Sequence, residues 1–195
     1  MQWRHVHNNV VIANFGGSKQ VDNDDGSLFW RVYSNFMAFG WCQKFKCGGI
    51  ESQHNVKAMV ELGGKFNAGC VTMAAGTPDP GSADAVFAPN VWRNDIMIAL
   101  SLTEDFNFRQ AWGTQGTKGQ PHYYNWDQSQ VSNITIYLGK VGINAVVTGA
   151  DADAEGSKTL KEWTAMGNDP HSVQHNKWPS VASIIAMAEG ALGVW

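Results

Sequence analysis

The chain has 195 residues, 16% of them charged, and a formal net charge of −3. That length gives one domain with a continuous core, and the low charge excludes the basic footprint of a nucleic-acid or anionic-membrane partner. No apolar run approaches the roughly 18 residues that span a bilayer.

No apolar h-region follows Met1-Gln2-Trp3-Arg4-His5, so a signal peptide is not expected. Val10 to Ala13 reads as a strand, closed by a turn at Phe15-Gly16-Gly17. The acidic segment Val21-Asp22-Asn23-Asp24-Asp25-Gly26-Ser27 reads as a polar loop. Leu28 to Tyr33 is a second strand, and Asn35 opens a third. Gly40 and Gly48-Gly49 mark turns. Val56, Ala58 and Val60 alternate with Lys57, Met59 and Glu61, the period of two that marks a strand. Residues 76–90 hold too many prolines and glycines for a central strand and read as an excursion. Ile96 to Leu102 is a strand. Residues 104–130 read as a long loop rich in aromatics, Gly and Gln. Asn133 to Leu138 and Asn144 to Thr148 are strands.

The tail changes character. Ser157 is the expected N-cap of a short helix with Leu160 and Trp163 on one face and Gly167 at its end. Pro179 suits the first turn of a second helix. There Val181, Ile184, Ile185, Ala188 and Leu192 form one apolar stripe, expected to cap the C-terminal end of the sheets. The N-terminus shows no matching cap, so N-terminal rungs are expected to be missing.

One phrase recurs: an Asn followed by a strand-like run, at Asn9, Asn35, Asn55, Asn90 and Asn133. The first three are spaced by twenty-odd residues and the last two by about twice that, the signature of a β-solenoid. Such Asn read as a ladder of stacked amides along the axis. The expected fold is all-β: a β-solenoid with a short helical C-terminal tail. Residues 1–150 are its rungs, with a loop excursion near 104–130, and 151–195 a C-terminal capping segment.

Of three cysteines, Cys42, Cys47 and Cys70, at least one is unpaired within the chain. They read as small buried hydrophobes or one local disulfide rather than a zinc site. Asn133-Ile134-Thr135 is an N-glycosylation sequon.

Asp22, Asp24 and Asp25 are the leading catalytic candidates. Asp22 and Asp24 share one face of an extended segment. Two carboxylates on one face raise one another's pKa, which makes a general acid beside a nucleophile or base. The same cluster could hold Ca²⁺ through carboxylate oxygens, or serve as an Asx-rich turn. No other metal or cofactor is expected. Lys44, Lys46 and Arg31 lie near the acidic loop as candidate cations for an acidic sugar, and Glu51 is a candidate second carboxylate. Trp30, Trp41, Tyr123 and Trp126 are candidate stacking platforms for sugar rings, with Lys44 beside them as a substrate-binding residue. His54 and His171 read as hydrogen-bonding residues.

Three phrases carry a family resemblance: Val21 to Ser27, Lys44 to Gly49 running into Gln53-His54-Asn55, and Trp163 to Ser172. In them the chain resembles the right-handed parallel β-helix superfamily of carbohydrate-active proteins, the pectate-lyase-like fold, over most of its length. The resemblance implies a carbohydrate substrate or ligand and an extracellular setting. In the resembling sequences an Asp precedes the Gly-Gly of the second phrase and a His often follows it; here Lys46 and Ile50 stand there. The resemblance implies a right-handed parallel β-helix and, with the acidic loop beside aromatics, a polysaccharide-acting enzyme, most directly a glycoside hydrolase, against which Lys46 counts. The alternatives are a non-catalytic carbohydrate-binding or structural solenoid and a calcium-assisted polysaccharide lyase.

Overall fold

A computed structural model describes residues 2–13, 20–23, 29–40, 42–45, 49–60, 71–74, 90–100, 104–112, 130–148 and 158–193. For residues 22, 44, 45, 71–74, 109–112 and 148 the description is of the backbone. The chain lays down strands in groups of three. The first pass gives β1 (Arg4–His7), β2 (Val10–Ile12) and β3 (Val21–Asn23). The second gives β4 (Trp30–Tyr33), β5 (Phe36–Ala38) and β6 (Gln43–Phe45). The third gives β7 (Ile50–Gln53), β8 (Val56–Val60) and β9 (Val71–Ala74). The fourth gives β10 (Val91–Arg93), β11 (Ile96–Ala99) and β12 (Phe106–Trp112). The fifth gives β13 (Gln130–Ser132), β14 (Thr135–Tyr137) and β15 (Ala145–Thr148). Then come β16 (Lys158–Thr159), α1 (Leu160–Ala165), β17 (Val173–His175) and α2 (Val181–Leu192).

Every third strand pairs. Sheet 1 runs β1-β4-β7-β10-β13, sheet 2 runs β17-β14-β11-β8-β5-β2, and sheet 3 runs β16-β15-β12-β9-β6-β3. The described pairings are parallel, except that β16 meets β15 antiparallel. The architecture is mostly parallel β-sheet with two short helices. Phe106 to Trp112, expected within a loop, form β12, where Phe106 and Phe108 are fully buried.

The corner between sheets 1 and 2 always has two residues. Its first is left-handed: Asn8 (φ 55), Ser34 (φ 54), His54 (φ 56), Asn94 (φ 57) and Asn133 (φ 54). Asn tolerates that region well, which accounts for three of the five. The second is the ladder position: Asn9, Asn35, Asn55, Asp95 and Ile134. Asn9 Nδ2 donates to Asn35 Oδ1 at 3.0 Å, Asn35 Nδ2 to Asn55 Oδ1 at 2.9 Å, and Asn55 Nδ2 to Asp95 Oδ1 at 3.2 Å. The sequence expectation holds for Asn9, Asn35 and Asn55 and fails for the other two. Asn90 precedes β10 and takes the N–H of Ile50 at 3.0 Å. Asn133 is one residue early, at the left-handed position.

Side chains alternate along each strand, so one parity faces inward. In sheet 1 the inward set includes Val32, Ser52, Trp92 and Val131; in sheet 2 it is Met37, Lys57, Met97 and Ile136. The alternation in β8 is thus the reverse of the usual apolar-in arrangement. Lys57 points inside, while Val56 and Ala58 are buried on the other side, toward α2. Met59 at φ 52 and the register shift opposite Ile98 and Ala99 return Val60 to the main core. Lys57 is tolerated because Asp95 meets it at 2.6 Å, and Ser52 Oγ and Trp92 Nε1 bond the same carboxylate oxygen at 2.9 and 2.8 Å.

The helices differ from expectation in their details. The N-cap of α1 is Thr159, in a capping box with Glu162, rather than Ser157, which lies outside the described residues. Leu160 enters the main core and Trp163 packs against it. α2, capped by Ser180 and ended by Gly193 at φ 69, does not close the end of the stack. It lies on the outer face of sheet 2 against β8 and β5, and Asn8 Nδ2 donates to Leu192 O at 2.8 Å. Trp178 Nε1 donates to Ala99 O at 2.8 Å and anchors its start. Ile184 packs with Ala38, Ala58 and Ile98, whereas Val181 and Ile185 are 74% and 52% exposed. The outer face of sheet 2 is itself apolar, so the helix covers the flank that most needs removing from water.

Candidate binding face on the first sheet

With Val32, Ser52, Trp92 and Val131 fixed inward, the opposite parity of sheet 1 faces out. Register aligns it into two rows: His5, Arg31, Glu51, Val91, Gln130 and His7, Tyr33, Gln53, Arg93, Ser132. Successive members of a row are one strand spacing apart, about 4.8 Å.

The rows are interlocked. Arg31 Nε bonds Glu51 Oε2 at 2.8 Å, with the side chains 39% and 22% exposed. The Arg31 guanidinium lies 4.4 Å from the centroid of the Trp3 ring, and Phe29 meets that ring edge-on. His7 stacks on Tyr33 with ring centroids 4.8 Å apart and planes 7° apart. His5 Nδ1 lies 3.4 Å from the Tyr33 hydroxyl. Arg93 Nε donates to Gln53 Oε1 at 3.0 Å. The corner continues the polar surface: Asn133 Nδ2 donates to Asn94 Oδ1 at 2.7 Å, and Asn94 Nδ2 lies 3.4 Å from His54 Nε2. Guanidinium, carboxamide, imidazole and phenol groups thus line a solvent-facing surface whose rings and cations are held in place by one another.

Asp22 and Lys44 are register partners on β3 and β6, in sheet 3. Arg31 and Glu51 belong to sheet 1 and bond each other. Trp30, on β4, has inward parity: it packs against the core, and Arg4 lies over its ring at 5.4 Å. Asp24, Asp25, Trp41, Lys46, Tyr123 and Trp126 lie outside the described residues. His54 and His171 are exposed and left-handed. The phrase Trp163 to Ser172 has a structural role: Pro170 O and Ser172 Oγ take the N–H groups of Asn133 and Ile134 at 2.9 and 3.0 Å.

Several described carboxylates are occupied. Glu51 is held by Arg31, Asp95 is buried on Lys57, Asp105 accepts from Asn144, and Glu162 caps α1. The described residues contain no group of three or more His, Cys, Asp or Glu placed to hold a metal ion, and no helix long and apolar enough to cross a membrane. Cys42 is buried and disulfide-bonded, its partner lying outside the described residues.

The face was missed from sequence because no residue type marks it. The signal is positional: two and four residues before each ladder position stand the outward side chains. No protein-family model, curated protein or solved structure matches this chain.

Proposed function

We propose that the chain is a right-handed parallel β-helix that binds an extended, hydroxyl-rich glycan along the outer face of sheet 1, without cleaving it. The observation that carries this reading is the pair of outward rows on sheet 1. They set side chains at the regular spacing of the strands, with the guanidinium and carboxamide donors of Arg31, Gln53, Arg93 and Gln130 among them, so a polymer lying along the stack meets polar partners along most of its length. The ordered Tyr33, Trp3 and His7 rings add apolar area that loses little entropy on binding. Along these two rows the one carboxylate is Glu51, which Arg31 holds; hydrolysis on this face would need two carboxyl groups facing each other at about 5–10 Å. An extracellular setting belongs to the same proposal; the Cys42 disulfide supports it, since such bonds persist in oxidising compartments.

The test is titration of soluble neutral and acidic polysaccharides into the protein by calorimetry, with product analysis in parallel. Arg93→Ala and Tyr33→Ala are expected to weaken binding at least about tenfold, with little change in the unfolding midpoint. Binding that survives both substitutions would remove sheet 1 as the site. Release of reducing ends, lost when Asp22, Asp24 and Asp25 become Asn, would move the conclusion to glycoside hydrolysis at those residues. An unsaturated, ultraviolet-absorbing product lost with chelator would move it to calcium-assisted elimination.

A further inference from the structure

Strand β1 carries two histidines on one face. His5 and His7 are two residues apart in an extended segment, so both side chains take the outward parity of sheet 1, and both are exposed. Their ring centroids lie 6.3 Å apart with the planes at 85°. A glycan on sheet 1 uses the His7 ring as apolar area and leaves the ring nitrogens without a task.

What each ring does with Nδ1 decides what Nε2 can do. Asn8 Nδ2 donates to Leu192 O at 2.8 Å, and a carbonyl only accepts, so the Asn8 carboxamide turns its oxygen the other way. His7 Nδ1 lies 2.6 Å from that oxygen and must carry the proton between them. His7 Nε2 is then the bare nitrogen of the neutral ring. His5 Nδ1 lies 3.4 Å from the Tyr33 hydroxyl, which can accept its proton, and the stack of His7 on Tyr33 fixes where that hydroxyl stands. Among the described residues neither Nε2 has a hydrogen-bond partner.

Metal-binding histidines need this arrangement: one ring nitrogen gives its proton to an oxygen that orients the ring, and the other coordinates. We propose that His5 and His7 chelate one divalent late transition-metal ion, such as Zn²⁺ or Cu²⁺, through their Nε2 atoms, with Asn8 as the positioning residue of His7. Metal–nitrogen bonds of about 2.0–2.1 Å put the two nitrogens within about 4 Å of each other, which exposed rings reach by small side-chain rotations. Imidazole nitrogen selects these ions over Ca²⁺ and Mg²⁺, which take oxygen. With two protein ligands the site is smaller than the groups of three that are absent among the described residues, and its outer positions go to water or to oxygens of a molecule lying on sheet 1. The nearest cations are held elsewhere: Arg31, the register partner of His5, bonds Glu51 and lies against Trp3, and Arg4 lies over Trp30. The site needs no glycan on sheet 1, and either can hold without the other.

Zn²⁺ alone is the probe, titrated into the protein by calorimetry and by heteronuclear NMR of the histidine rings. One ion per chain is expected, with the largest shifts at Nε2 of His5 and His7. Before the metal is added, both rings are expected as the tautomer protonated at Nδ1. His5→Ala and His7→Ala are each expected to weaken binding at least about tenfold, and the double variant no further than either single, because chelation is lost at once. Asn8→Gly keeps the left-handed backbone at φ 55 and removes the carboxamide. It is expected to weaken binding about tenfold and to let the His7 proton move to Nε2. Asn8→Asp supplies an acceptor again and is expected to restore both the tautomer and the affinity. His175→Ala, which removes an exposed histidine stacked on Tyr137, is expected to change nothing. No saturable binding, unchanged affinity in either single variant, losses that add in the double variant, or a free protein with either ring protonated at Nε2 would each overturn the proposal.

Discussion

Lys57 Nζ on β8 and Asp95 Oδ2 in the corner before β11 lie 2.6 Å apart across adjacent passes of the stack, and neither side chain is exposed to solvent. The carboxylate accepts from Lys57, Ser52 and Trp92 on one oxygen and from the Asn55 amides on the other. It ends the ladder, because a carboxylate accepts and cannot donate onward to the next pass.

Removing one partner of this pair leaves a buried charge uncompensated. Lys57→Met and Asp95→Asn are each expected to cost about 3–5 kcal/mol, and the double variant much less than the sum. Urea unfolding of the three variants checks this. Near-additive losses would show that the two groups are stabilised independently.

The interior ladder positions should matter more than the exposed one. Asn35→Ala strips donors from the carbonyls of Val6 and Tyr33 and an acceptor from Asn9. Each buried group left unsatisfied costs roughly 1–3 kcal/mol. Asn9→Ala should be several-fold milder. Equal losses in thermal unfolding would contradict the ladder as a source of stability.

On α2, Ile184 and Ile185 are sequence neighbours with opposite environments. Ile184→Ala should cost roughly 1–3 kcal/mol, whereas Ile185→Ala should change stability by less than about 0.5 kcal/mol. Denaturant midpoints separate the two, and reversal of the order would mean that the helix docks by another face.

The Thr159 hydroxyl, and after it the Thr159 backbone N–H, hold the Glu162 carboxyl below its ordinary value. A lowered folded-state pKa stabilises the fold above the unfolded carboxylate range, and that contribution fades as pH falls through the folded value. Glu162→Gln should therefore flatten stability against pH on the acid side, below about pH 4, and leave the neutral-to-basic side parallel to the parent. Unchanged acid-side slopes in both proteins would refute the assignment.

The parallel, strand-rich character was legible in the sequence because several short apolar runs follow an Asn whose turn chemistry has a physical cause. Position within the corner was not. Asn90 and Asn133 are the right residue type in the wrong place, while Asp95 is the right place with a different residue. Variable stretches between strands blur the spacing that would have separated them. The alternation in β8 gave no sign that Lys57 points inward, because its partner Asp95 lies 38 residues away. The outward face of sheet 1 became readable only once the ladder fixed which parity points inward. The prediction of an apolar stripe on α2 took the helix as an end cap. The outer face of sheet 2, with Phe36, Ile96 and Ile98, offered a larger apolar surface to cover.

The two-residue corner between sheets 1 and 2 also limits how this chain can change over evolutionary time. Five described passes keep it at the same length, while the links leaving sheet 2 run from four residues after Ala38 to ten after Val60. Sequence can be gained or lost at the variable corners without putting the outward rows of sheet 1 out of step. A single residue added at Ser34-Asn35 or Asn94-Asp95 would shift one strand of the array against its neighbours and turn its outward side chains inward. Diversification of such a chain is therefore expected to fall as length variation on the far corners and as residue exchange, without insertion, along the lane beside the fixed one.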